Sequence, residues 1–262
     1  MRCIRLDPGL EGCRTAYLRA LTGEDEQAAD SGVIALLDRL LVAVGVGSVS
    51  PGSAARLAVC DRDRLLAAVY QDLFGDKIEA VSLCRACEKS FAVQFSLTDM
   101  IDAQASQCPP GMAGPDEQGC YHFQGITFRL PSTADLAAIA RLEEADRHDA
   151  LLTACVLAGD VGVRGETIEA AMAVLGPTLD IDLDARCPHC DSVSSLRFDI
   201  GPFLLTSLDN ERRFRLREVH CIARAYAWSY GEIMALPRTE RQDFVRLIGA
   251  DTAALRDMAE AG

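Results

Sequence analysis

The chain has 262 residues, 49% of them hydrophobic and 25% charged, the composition of a globular protein and not of a disordered or fibrous one. Its net charge is −13, from 26 Lys and Arg against 39 Asp and Glu, and residues 101–200 alone hold 6 basic and 16 acidic side chains. Affinity for a phosphate backbone comes from basic groups that displace counterions, so this balance argues against nucleic acid as the main ligand.

No segment reads as a membrane span. Arg2, Arg5, Asp7, Glu11, Arg14 and Arg19 occupy the stretch where a secretory signal would need an apolar run. The apolar segment 33–46 is interrupted by Asp38 and Arg39 and is too short to cross a bilayer. Eleven cysteines without the spacing of a small disulfide scaffold fit a reducing compartment, where paired cysteines hold metal more readily than they form disulfides. The expected location is a reducing cytosol.

Helical spacing dominates the first third. Val33, Leu36, Leu37, Leu40 and Leu41 predict a buried face on a helix over 22–41, followed by the Gly/Ser-rich run 45–53. Asp61 is placed to cap a second helix that buries Leu65, Leu66, Val69 and Leu73 and stops at Gly75. Residues 77–83 read as a strand. After a turn-rich loop at 105–119, residues 121–130 read as a hairpin turning at Gln124-Gly125. Helices follow from Ser132, over about 148–158 and about 166–175, split by the Gly-rich 159–162. Residues 179–184 alternate with the strand period and place Asp180, Asp182 and Asp184 on one face; calcium ligation is conceivable there, but a solvated edge that resists strand pairing is the simpler reading.

Two Cys-X-X-Cys pairs carry the chemistry, Cys84/Cys87 and Cys187/Cys190. Together they supply four thiolates, the closed tetrahedral set of structural zinc sites. The 99 residues between the pairs far exceed the roughly 15–20 of an ordinary ribbon. An internal repeat compensates. LCRACEKSFAVQFSL and RCPHCDSVSSLRFDI align at an offset of 103, with Phe95 and Leu97 matching Phe198 and Ile200. Each unit reads strand, knuckle, strand, which predicts two hairpins meeting on one zinc ion, with the intervening hairpin and helices as an insertion. A redox dithiol would want its Cys-X-X-Cys at a helix start, and catalytic zinc would want an open coordination position. His189, between the knuckle cysteines, is expected to face solvent.

No catalytic set emerges. His220 and Cys221 are adjacent and diverge on a helix. Cys120 and His122 share a strand face without an identifiable third group. A non-enzymatic role is therefore expected.

At the C-terminal end, residues 211–227 read as an amphipathic helix whose start, with Arg212, Arg213, Arg215 and Arg217, is the most basic part of the chain. Arg212, Arg213 and Arg215 are candidates for docking an acidic partner, against the plainer reading of a solvated face. Ser229 and Glu232 form a capping-box pattern, with Trp228 and Ile233 as its hydrophobic staple. Trp228 is thus expected to clamp a helical corner, and a partner-binding anchor is its second reading. Pro237 ends that short helix, and a last helix over 239–248 is expected to bury Phe244, Leu247 and Ile248.

The run LREVHCIARAYAWSYGEIMALPRTERQDFVRLI resembles the C-terminal signature of baseplate-hub and tail-assembly proteins of contractile phages and contractile injection systems, the group named after T-even phage baseplate proteins. LRALTGEDEQ, DRDRLLAAVYQDLFGDKIEAVSLCRAC and FDIGPFL are similar to further stretches of that family, while Ala227 and Gly231 depart from its pattern. The resemblance implies a part in baseplate or tail assembly in the bacterial cytoplasm, with baseplate, hub or tube proteins as partners, and it leaves open whether the protein stays in the finished phage tail or injection-system particle. A zinc-ribbon adaptor of a regulatory process is the alternative.

The predicted fold class is α+β: a zinc-ribbon-like β core with a helical insertion and helical N- and C-terminal segments. The predicted regions are a helical 1–76, a ribbon over 77–203 with its insertion at about 104–178, and a helical 204–262.

Overall fold

The structure, a computed structural model, describes residues 1–45, 47–104, 108–160 and 162–260, with the side chains of all but 163 and 255–260. Parts of the segments expected as loops at 45–53, 105–119 and 159–162 lie outside the described residues. The protein is a mixed α+β fold of helices and small antiparallel sheets.

The chain opens with strands, which corrects the expectation of a wholly helical start. β1 (Arg2–Leu10) and β2 (Cys13–Leu18) form a hairpin whose two-residue loop, Glu11-Gly12, has φ of 48° and 78°. Both left-handed residues match the twist of the flanking strands. Pro8 and Gly9 fall where the register shifts between Arg5 and Leu10, so these breakers mark an irregularity within the strand and not its end.

The single helix expected over 22–41 is two, α1 (Gly23–Ala28) and α2 (Val33–Leu40). Gly32 between them has φ 95°, a conformation no helix interior contains. α3 (Val59–Phe74) buries Leu65, Leu66 and Val69 and stops at Gly75, as its pattern predicted. Asp61 is not its cap. The backbone carbonyl of Pro131 accepts from Val59 N–H at 2.9 Å, and Asp61 is buried in the first turn. Its carboxylate takes the backbone N–H of Asp7 at 2.7 Å and of Gly9 at 2.8 Å, tying β1 to α3. Asp63, also buried, accepts from Leu179 N–H at 2.9 Å. One helical turn therefore anchors the first hairpin and the start of the second repeat unit.

β3 (Lys77–Leu83), β4 (Ser90–Ser96) and α4 (Leu97–Ala103) form the first unit. The insertion follows. Its hairpin, β5 (Cys120–Phe123) and β6 (Ile126–Arg129), turns at Gln124-Gly125 as expected. α5 (Thr133–Ile139) and α6 (Glu144–Cys155) lead to β7 (Val156–Ala158), which pairs with β6 where helix was expected, and α7 (Gly165–Leu175) ends the insertion. β8 (Asp180–Arg186), β9 (Val193–Asp199) and α8 (Ile200–Asn210) form the second unit. α9 (Arg212–Tyr226), α10 (Tyr230–Met234) and α11 (Arg238–Glu260) complete the chain.

The repeat at offset 103 holds in strand register and in the bonds that enter each helix. β3 and β4 pair from Lys77↔Ser96 to Leu83↔Ser90, and β8 and β9 from Asp180↔Asp199 to Arg186↔Val193, the same register moved by 103. Ser96 caps α4, and Asp199 caps α8. Leu97 N–H donates to Asp76 C=O at 2.9 Å, and Ile200 N–H to Leu179 C=O at 3.1 Å. The repeat unit is therefore strand, knuckle, strand, helix, one helix longer than the sequence match alone indicates.

The regions expected at 1–76, 77–203 and 204–262 share one core. Leu6, Leu36, Leu65, Ile78, Leu97, Phe198, Ile200 and Leu204 belong to the same buried cluster, and the edge-on pair Phe95–Phe198, 5.1 Å between ring centroids, joins the two repeat units inside it. The insertion has a second cluster built from Tyr121, Ile126, Phe128, Ile168 and Leu175, completed by Ala58 and Cys60 at the start of α3.

Candidate metal centre

The two knuckles are the tips of β3–β4 and β8–β9, and each is built the same way. Cys84 N–H donates to Lys89 C=O (3.0 Å) and Glu88 N–H to Cys84 C=O (2.8 Å); Cys187 N–H donates to Ser192 C=O and Asp191 N–H to Cys187 C=O, both at 2.9 Å. The chain reverses through a left-handed residue after the second cysteine, Glu88 at φ 57° and Asp191 at φ 60°. This turn brings both sulfurs of a knuckle to the same side.

Shared packing at the hairpin bases then brings the knuckles together. The sulfur atoms of Cys84, Cys87, Cys187 and Cys190 all lie within 4.8 Å of one another. Cys84 and Cys190 are 3.6 Å apart, and Cys87 and Cys187 are 3.7 Å apart. Both close pairs cross from one hairpin to the other. A tetrahedral ion with sulfur at about 2.3 Å requires sulfur–sulfur edges of about 3.8 Å, so the donor set fits such an ion with little movement. Cys84 and Cys187 are buried, packed with Phe91, while Cys87 is half-buried and Cys190 exposed. The four cysteines singled out by spacing and repeat are thus brought together as a cluster compatible with a bound metal.

The thiols are perturbed in opposite directions. The Ser192 hydroxyl, and after it the backbone N–H groups of Cys87 and Ala86, hold the Cys84 thiol down at about 5. Ser192 also lowers Cys190. At Cys87 the Lys89 N–H works toward ionisation, but burial and the three neighbouring sulfurs push the thiol up to about 12. Four thiolates at these distances repel one another, and a cation among them removes that repulsion.

His189 is exposed and outside the cluster, as expected, although its backbone N–H approaches Cys187 Sγ at 3.4 Å. Among the described residues, the four cysteines are the one group of three or more Cys, His, Asp or Glu side chains whose ligand atoms lie close enough to hold an ion. Asp182 and Asp184 face solvent, and Asp180 pairs with Arg197 at 2.7 Å. His122 touches Asp116 at 3.0 Å and its cross-strand partner Thr127 at 3.1 Å, while the Cys120 thiol is buried.

The candidate docking residues separate. Arg212 and Arg213 are exposed, and Arg213 stacks over Phe214 at 4.7 Å. Arg215 is buried and bonded to Glu26 at 3.0 Å, so it belongs to the interior. Glu26 also receives the fully buried Arg241 at 2.5 Å, and Arg241 in turn reaches Glu218 at 3.1 Å and Leu236 C=O at 2.9 Å. Sequence spacing carries no sign of this network. The Ser229–Glu232 capping box is present. Trp228 is half-buried and packs on Tyr226 (5.3 Å) and Phe244 (5.0 Å), so its ring fastens α9 to α11. Leu247, expected to be buried, is 55% exposed.

Fold and site together define a mixed α+β protein with a four-cysteine cluster compatible with metal. Comparison of the chain with family models, with curated proteins and with solved structures gives no match. No described helix is long and apolar enough to cross a membrane.

Proposed function

We propose that the cluster holds one structural zinc ion, making the paired hairpins a ribbon-like unit, and that the protein is a non-enzymatic component in the assembly of a contractile phage tail or contractile injection system. Zinc is favoured because an all-thiolate tetrahedral set is closed to substrate and suits an ion without redox chemistry. The assembly role comes from the resemblance of residues 216–248, and the observation that carries it toward partner binding is the outer face of α9. Arg213, Arg217, His220 and Arg224 follow at helical spacing along one exposed stripe, with Arg212 and the exposed Phe214 and Leu216 beside it. Among the described residues, none of these arginines is in an ion pair. Such a face suits an acidic patch on a baseplate, hub or tube subunit, and the acidic insertion suits a basic one.

Pull-down from cells carrying the whole gene cluster tests this reading. Recovery of baseplate or tube subunits, weakened by Arg212→Glu with Arg213→Glu, is the expected result. Normal particles from a deletion strain, or tight salt-resistant DNA binding, would favour the regulatory adaptor instead.

A further inference from the structure

The two knuckles share their backbone bonds, and one side chain breaks their symmetry at the cluster itself. The second position after the knuckle's last cysteine is Lys89 in the first unit and Ser192 in the second. Lys89 is exposed, whereas Ser192 Oγ lies 3.2 Å from Cys84 Sγ and 3.0 Å from Cys190 Sγ. Those two sulfurs form an edge of the cluster that crosses between hairpins, 3.6 Å long. They are also its extremes of exposure, since Cys84 is fully buried and Cys190 faces solvent. Once both sulfurs are metal-bound thiolates they can only accept, so the single O–H of Ser192 serves as donor at this edge, directed at one sulfur or bifurcated between the two.

We infer that Ser192 is a positioning residue of the metal centre, holding the exposed Cys190 arm on the ion and slowing metal loss. The inference rests on the metal reading above. Metal leaves a thiolate cage when one arm swings away and is captured by a proton or a competing ligand. The solvent-facing arm is the one free to do so, and the hydroxyl opposes both steps: its one hydrogen, 3.0 Å in oxygen–sulfur distance from Cys190, holds that arm against the second hairpin and occupies a lone pair a proton would take. Hydrogen-bonding partners behind metal ligands typically change affinity by about 10–100-fold when removed. The backbone N–H of Lys89 serves Cys87 as that of Ser192 serves Cys190, so the two positions differ in their side chains alone, and the Lys89 side chain is exposed with no bond to a sulfur among the described residues.

The test is release of zinc from the full chain, loaded one to one, to an excess of a chromogenic chelator. Ser192→Ala is expected to release zinc about 10-fold faster or more, with Ser192→Thr and Lys89→Ala near the wild-type rate. The cobalt-substituted Ser192→Ala protein should show shifted sulfur-to-metal absorption bands. If Ser192→Ala proves unstable, Ser192→Thr against Ser192→Val isolates the hydroxyl at constant shape. Equal rates with and without the hydroxyl would overturn the inference. Wild-type protein that takes up no zinc would instead refute the metal reading, and that is seen before any variant is compared.

Discussion

Asp25 shows how single residues are held here. Its side chain is fully buried, yet it accepts from Arg19 at 2.6 and 2.9 Å, from Arg39 at 2.9 Å and from the Thr22 N–H and hydroxyl at 3.0 and 2.9 Å. Burial opposes ionisation, but the Arg19 bonds, then those from Thr22 and Arg39, outweigh it and hold the carboxyl at about 2, below its ordinary value of 3.8. A depressed carboxylate contributes stability above its unfolded pKa and loses it as pH falls through the folded value. Asp25→Asn should therefore lower the Tm at pH 7, with the gap to wild type closing between about pH 4 and pH 2; a gap unchanged across that range would contradict this. Residues of this kind differ in legibility. The four clustered cysteines were readable because spacing and repeat both mark them. Ser192 looks like any knuckle serine, and the partners of Arg215 and Arg241 lie 189 and 215 positions away at Glu26, so only the folded chain joins them.

Among the elements, those set by local chemistry were legible and those set by distant packing were not. The strand at 77–83, the stop at Gly75, the Gln124-Gly125 turn and the Ser229 capping box each depend on neighbours a few residues away, and each is found where expected. The β1–β2 hairpin was missed because Pro8 and Gly9 disguise its alternation, although Glu11-Gly12 is a usable turn signal. The C-terminal helices join the body through two contacts with different consequences. Trp228 bridges α9 and α11 with its ring partly in water, so Trp228→Ala should cost about 3 kcal/mol or less. Thermal denaturation should register it; an unchanged Tm with lost partner capture would make the ring an exposed anchor instead. Arg241→Ala removes the cation shared by Glu26 and Glu218 and leaves Glu26 with Arg215 alone, so it should cost up to about 3–5 kcal/mol, the figure for a fully uncompensated buried charge. A loss under 1 kcal/mol in denaturant titration would mean that Arg215 alone satisfies Glu26.

At the scale of the whole molecule, a pseudo-symmetric pair of hairpin–helix units with the segment 104–178 inserted between them is set between the N-terminal hairpin and helices and the C-terminal helices. Bases and tips of the hairpins are fastened by different forces. The bases share the main apolar core with α3 and α8, whereas the tips have little beyond Phe91 and the four cysteines. Apparent zinc-binding energies of about 10–16 kcal/mol in small modules are ample to close such tips. Because the bases are packed independently, metal loss should open the knuckle ends without unfolding the chain. Cys187→Ser should abolish metal binding and speed hydrogen exchange in β3–β4 and β8–β9 near residues 84–90 and 187–193, while α3 stays protected; exchange that accelerates evenly everywhere would assign the metal a global role. On the proposed reading these four sulfurs share one ion. Native mass spectrometry of protein purified without chelator addresses it most directly: one zinc per chain, absent from Cys84→Ser and Cys187→Ser, is the predicted result, and a metal-free chain, or one carrying two disulfides among these cysteines, would contradict it.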